Sequence, residues 1–191
     1  MSNRQISAPS SAEDANFVVM KFSDLERTRR IDAEFFERRY IRTAQLLKTI
    51  ATKSVVDVAT ISDGNHFAIS EDFVEEGIPY YRGQDVVGHF FVEQSQPKHI
   101  TKTAYDGPWM VRSHLRKGDV LLSIIGTIGE LSVVSRTTPA TCSCKLAILR
   151  PKTIAPEYLA TFLRSRHGRS QIERLTRGAV QMASSSKTWI N

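Results

Sequence analysis

The sequence predicts an α+β fold: a curled, mostly antiparallel β-sheet or partial barrel with flanking N- and C-terminal helices. Three observations predict it. Phe36, Tyr40, Thr43, Leu47 and Ile50 recur at three- and four-residue steps, the spacing of one helical face. From Ser54 to Arg150 the chain breaks into short runs of Val, Ile, Leu, Phe and Tyr separated by Gly, Pro and Asp turn signals, which read as many short strands. After Pro151 helical spacing returns, with Tyr158, Leu159, Phe162 and Leu163 as an apolar stripe.

Taken in order, residues 1–16 are rich in Ser, Ala and Asn without periodicity and are expected to form a mobile leader. Order is expected from Phe17 to about residue 182, with 183–191 as a tail. "FVVMKF" reads as a strand or extended arm, and the helix that follows carries Arg38, Arg39, Arg42 and Lys48 opposite its apolar stripe. The expected strands lie in "VVDVATI", "IPYYR", "HFFVE", "KHIT", "GPWMV", "DVLLSII", "ELSVVS" and "KLAILR". Pro156 suits an early helical position, Gly168 allows a break, and "RSQIERLTR" makes a second short helix that ends at Gly178. Asp119, after Gly118 at the head of an apolar run, is expected to cap a turn by accepting backbone N–H groups.

A chain of 191 residues, 41% hydrophobic and 24% charged, can bury one sizeable core. Its net charge of +6 suits a polyanionic partner, since cations that neutralise phosphates release counterions. No apolar run approaches the roughly twenty residues that cross a bilayer, and the N-terminus has no apolar centre of a signal peptide. A cytoplasmic protein is expected, with no membrane partner. Cys142 and Cys144 form a C-x-C without finger-spaced partners, and the five histidines give no metal box. No metal or cofactor is therefore expected. No lysine follows an acidic residue by two positions, as metal-dependent nucleases of the common class require, and no phosphate loop, nucleophile elbow or amino-methyltransferase motif occurs. The chain is expected to be non-catalytic: in any nucleic-acid reaction it serves, another chain carries the chemistry.

Ile125-Gly126-Thr127-Ile128-Gly129 spells the Gly-x-x-Gly with which one RNA-binding module clamps a backbone. That clamp joins two helices and usually carries a basic middle residue. Here the middle is Thr-Ile and both flanks are strand-like, so the glycines are expected to turn a hairpin. With a hairpin there, "SDGNHF", "GIPYYRGQDV", "KHIT", "LRKGDVLLSIIGTIGELSVV", "PEYLATFLRS" and "RGAVQ" follow one another in the order and spacing of a known family. Over residues 29–182 the chain resembles the target recognition domain of type I restriction-modification specificity subunits, and "RIDAEFFERRY" resembles its start.

The resemblance implies a subunit without catalysis that reads one half of a split double-stranded DNA sequence and directs a methyltransferase subunit and, through the complex, a restriction subunit to it. Whole specificity subunits typically carry two such domains separated by long spacer helices. This chain has neither spacer nor second domain, which leaves a half-subunit that could act as a homodimer, a fragment or an excised domain. A non-catalytic RNA-binding module and a protein-interaction module are the alternatives.

Base edges need side-chain donors and acceptors, and phosphates need cations. The polar loops offer Asn65 and His66; Arg82 and Gln84; and, in "QSQPKHITK", Gln94, Gln96, Lys98, His99 and Lys102. The last segment lies between the family-like motifs and is the favoured reader. Gln84 or Gln96 suits adenine and Arg82 suits guanine, although Arg82 and Asp85 could instead bridge each other in the framework. Arg164, Arg166, Arg169, Arg174 and Arg177 are expected to track phosphate.

Overall fold

A computed structural model describes residues 22–23, 25, 31–50 and 53–176. The expected leader, the "FVVMKF" arm up to residue 21, the "RGAVQ" motif, Arg177 and the tail lie outside the described residues.

A short 3-10 turn at Ala33–Phe36 leads into α1 (Arg38–Ile50), and α2 (Val55–Val58) precedes β1 (Ala59–Asp63). Then come β2 (Phe73–Val74), β3 (Ile78–Tyr81), β4 (His99–Ile100), α3 (Lys102–Asp106), β5 (Val120–Ser123), β6 (Leu131–Val133), β7 (Thr141–Cys142) and β8 (Leu146–Pro151). Helices α4 (Pro156–Arg164) and α5 (Arg166–Thr176) follow. The strands make two open four-stranded sheets, ordered β1-β8-β5-β6 and β2-β4-β3-β7. All pairings are antiparallel except β3 with β7.

Side-chain alternation explains the layering, because successive residues of a strand face opposite sides. Val120 and Leu122 of β5 and Ala147 and Leu149 of β8 pack under Leu159, Ala160, Leu163 and Ile172 of the two C-terminal helices. Leu121, Leu146 and Ile148 point the other way, onto Tyr81 and Cys142 of the second sheet. The central strands are thus buried on both faces, which is why "DVLLSII" and "KLAILR" are unbroken apolar runs rather than alternating ones. Tyr80 faces a third cluster with Ile100, Ala104 and Met110. Burial raises the Tyr80 hydroxyl to a pKa of about 12 and pushes the Cys142 thiol well up.

The β5–β6 connection is a hairpin, as the Gly-x-x-Gly reading requires. Gly126 and Gly129 have φ of 85° and 91°, and the Gly129 amide donates to the Ser123 carbonyl at 3.0 Å. A β-branched residue is strained at positive φ. Gly129→Val is expected to cost about 2 kcal/mol in chemical denaturation, with the far-UV spectrum unchanged. Asp119 also behaves as expected: its carboxylate accepts the Arg116 amide at 2.7 Å.

Several expectations are corrected. "VVDV" is the helical turn α2, because the Asp57 carboxylate accepts from both the amide and the hydroxyl of Ser54 at 2.7 Å and closes the first turn. "GPWMV" is no strand: the Met110 amide bonds to Gly107 and the Ser113 amide to Met110, two successive turns in which Met110 is buried while Trp109 and Val111 stay exposed. "HFFVE" makes one bridge, Phe91 to Val133, on the edge of β6, while the Ser132 hydroxyl holds the carbonyls of Val86 and His89 just before it. The helical stripe buries Phe36 and Tyr40 but leaves Ile50 64% exposed, and Tyr158 stands outside its own stripe at 65%. The break after α4 falls at Ser165, not at Gly168. Gly168 sits inside α5 because a Cβ there would lie 2.3 Å from the Phe162 carbonyl oxygen.

Candidate nucleic-acid interface

Antiparallel pairing brings several loops to one end of the molecule. Asp63, the last residue of β1, pairs with Ala147 at the start of β8, and Ser123, the last of β5, pairs with Leu146. Tyr81, the last of β3, lies beside Cys142, the last of β7. The loops after β1, β3 and β5 and the turn between β7 and β8 therefore emerge together.

Backbone contacts join them. Asn65 donates its amide to Cys142 O at 2.7 Å and accepts from the Cys144 amide at 2.9 Å. The Ile124 amide bonds to Lys145 O at 2.9 Å, and Gly83 lies against Ser123, Ile125 and Lys145. From the other side, the Arg82 guanidinium donates to the Gln96 carbonyl at 2.6 Å. "DGNHF", "RGQD" and the Gln94–Gln96 part of "QSQPKHITK" thus line one surface, with exposed Lys145 between the first two.

Within that surface the candidates divide by what already holds them. Asn65 is 3% exposed, its side chain spent on the Phe67 amide and carbonyl, so it shapes the loop. His66 is exposed and bonds Asp63 at 2.6 Å, and Arg112 pairs with the same carboxylate. The Arg82 amide bonds the Asp85 carboxylate at 2.7 Å and its guanidinium lies 3.6 Å from it, the framework arrangement. Gln94 bonds the Tyr80 carbonyl at 3.2 Å, His99 bonds Glu75 O at 2.9 Å, and Lys102 pairs with Asp106 one helical turn on. Lys98 lies over the Phe73 ring. Gln84 and Gln96 are exposed, with no bond to either side-chain amide among the described residues.

The arginines divide likewise. Arg164 donates to the His89 carbonyl at 2.8 Å beside the Phe90 ring. Arg174 donates to Phe35 O at 2.9 Å and stacks on the Phe35 ring. Both fasten the C-terminal helices to other segments. Arg169 pairs with Glu130 and Glu173, and Arg166 is exposed. Arg166 and Arg169 line a groove of about 530 Å³ between α5 and α1.

Sequence reasoning missed Lys145, Arg112 and the exposed ring pair Phe67 and Trp109, whose centroids are 6.3 Å apart. Lys145 alone carried a signal, as a single cation in the turn between two apolar strands. Among the described residues no cluster of His, Cys, Asp and Glu could hold a metal ion, and no helix is long and apolar enough to cross a membrane.

No family model matches the sequence, and a search of curated proteins found no similar one. Solved structures do match. The HsdS subunit from Thermoanaerobacter tengcongensis is 20% identical with a TM-score of 0.52, over 88% of this chain and 41% of that one. A chain from a structure of complex assembly and conformational transition in the type I R-M system is 18% identical, with a TM-score of 0.49, over 86% and 41%. The S subunit of a type I restriction-modification system from M. genitalium is 15% identical, with a TM-score of 0.42, over 64% and 28%. The α+β fold is thus one shared with part of an HsdS subunit, and this chain spans about two fifths of that subunit's length.

Proposed function

We propose that the chain is a target recognition domain of a type I restriction-modification specificity subunit, spanning residues 17–182 and reading one half of a split duplex-DNA sequence. The observation that carries the reading is the gathering of the polar loops at one end of a fold shared with an HsdS subunit. Such loops on a rigid double-sheet base suit base readout, since a side chain must be held in register to discriminate base edges. The domain supplies recognition, and methyltransferase and restriction subunits supply the chemistry. If the chain acts as a half-subunit, two copies pair to read both halves.

His66, Gln84 and Gln96 are the base readers in this proposal, because their side chains are exposed at the shared end. Lys145 and Lys98 flank them as phosphate contacts. In a complex reconstituted with a methyltransferase partner, Gln84→Ala or Gln96→Ala is expected to change the methylated motif at one base pair, by about 1–3 kcal/mol of discrimination. Lys145→Ala is expected to weaken methylation at all sites alike. Sequencing of methylated genomic DNA checks both. A motif untouched by substitution at 66, 84 and 96 sinks this choice of readers, and methylation that persists without the chain sinks the function.

A further inference from the structure

We propose that the groove between α1 and α5 is a second DNA-contact site that seats the sugar-phosphate backbone beside the base-reading end; this inference rests on the DNA-recognition reading. Helix α1 contributes Arg39 and Arg42 to the groove and α5 contributes Arg166 and Arg169, against Glu173 as the one acid of the lining among the described residues. Two of the four guanidiniums are tied down. Arg39 bonds Glu37 at 2.7 Å and Arg169 bonds Glu130 at 3.1 Å. Arg42 and Arg166 are exposed, with no carboxylate partner among the described residues. Of the four they are the two that an incoming anion can take.

Position selects the occupant. Glu130, the partner of Arg169, follows Gly129 in the hairpin loop, and Gly129 itself lies 3.7 Å from Ile172 of α5 as measured from an added Cβ. The groove therefore adjoins the loop that leaves β5, and Ile125 of that loop lies against Gly83 beside the reading residue Gln84. A polyanion lying across the reading end continues past the hairpin into the groove. Guanidiniums from two helices, rather than one convergent cluster, suit an extended chain of phosphates better than a single bound phosphate. Among the described arginines expected from sequence to track phosphate, Arg166 alone is held by no carbonyl or carboxylate, and Arg42 of α1 joins it.

The test uses the full chain and a fluorescent duplex of arbitrary sequence, with affinity measured from 50 to 200 mM salt. Two lost phosphate contacts flatten the slope of log affinity against log salt by about 1.8, and shrink the affinity lost across that range by about tenfold. Arg42→Gln with Arg166→Gln is expected to show this change. Arg42→Lys with Arg166→Lys is expected to restore the slope, which separates lost charge from lost fold. Lys48→Gln, on α1 outside the groove lining, is expected to leave it unchanged. If the wild type binds duplex but the Gln double variant keeps its slope, the groove assignment is overturned while DNA recognition stands. A Gln double variant that keeps its slope yet no longer captures a methyltransferase partner overturns it in favour of a protein ligand. A wild type that binds no duplex overturns both.

Discussion

Arg150→Ala is expected to destabilise the chain by about 3 kcal/mol, because it leaves a carboxylate buried without its cation. Asp119 is 1% exposed and receives a two-pronged contact, Arg150 Nε to Oδ1 at 2.7 Å and Nη2 to Oδ2 at 2.8 Å. The same guanidinium donates to the His114 carbonyl at 2.9 Å, so one side chain ties β8 to the segment before β5. The bond to Asp119 raises the Arg150 pKa further, and the cation is held at every working pH. The expected cost sits at the low end for a broken buried pair, since the Arg150 side chain is 31% exposed and water can partly replace it. Urea denaturation of the variant measures the loss. A loss below about 1 kcal/mol would class the pair with screened surface bridges.

Gly64→Ala is expected to cost about 3 kcal/mol and, on the proposed DNA-recognition function, to damage sequence discrimination more than overall DNA affinity. A Cβ at Gly64 would sit 2.1 Å from Ser143 O and 2.6 Å from Cys142 O, both backbone atoms that cannot rotate away. Gly64 and Asn65 are also held by amide bonds to Leu146 O at 3.0 Å and Cys142 O at 2.7 Å. The added carbon must push the whole "DGNHF" loop off the turn before β8, and His66 moves with it. Gly126→Ala is the matched control: its φ of 85° is strained, but nothing lies within 4 Å of the new carbon, so a loss of only about 1 kcal/mol is expected. Equal losses at the two positions would mean that the 64–143 contact is looser than the structure has it.

What the sequence revealed and hid follows from the range of each interaction. The β5–β6 hairpin was legible because its determinants lie within a few residues: two glycines, two apolar runs and Asp119 at the head of the first. The same holds for Pro156 at the start of α4. "VVDV" was misread because β-branched composition outweighed a local side-chain cap from Asp57 to Ser54. "GPWMV" was misread because one buried residue, Met110, makes a run look apolar while Trp109 and Val111 stay exposed. The meeting of the loops after β1, β3 and β5 depends on pairings between distant segments, which no local pattern encodes. The fates of Arg164 and Arg174, spent on the carbonyls of His89 and Phe35, were hidden for the same reason.

The register of β1 against β8 also governs when the molecule can form. Ala59 pairs with Pro151 and Asp63 with Ala147, and among the described residues β1 has no other strand neighbour. During synthesis β1 leaves the ribosome long before β8 exists. The hairpin of β5 and β6 can close at once, but the first sheet is complete only when β8 slides between β1 and β5 as an inner strand. Closing so long a loop makes assembly slow relative to a helical protein of equal size. In the interval the edges of β1 and β5 and the apolar faces of both sheets are open to the wrong partners. The nascent chain is therefore vulnerable to aggregation until residue 151 emerges, and the apolar face of that sheet under the C-terminal helices stays open until they too have formed.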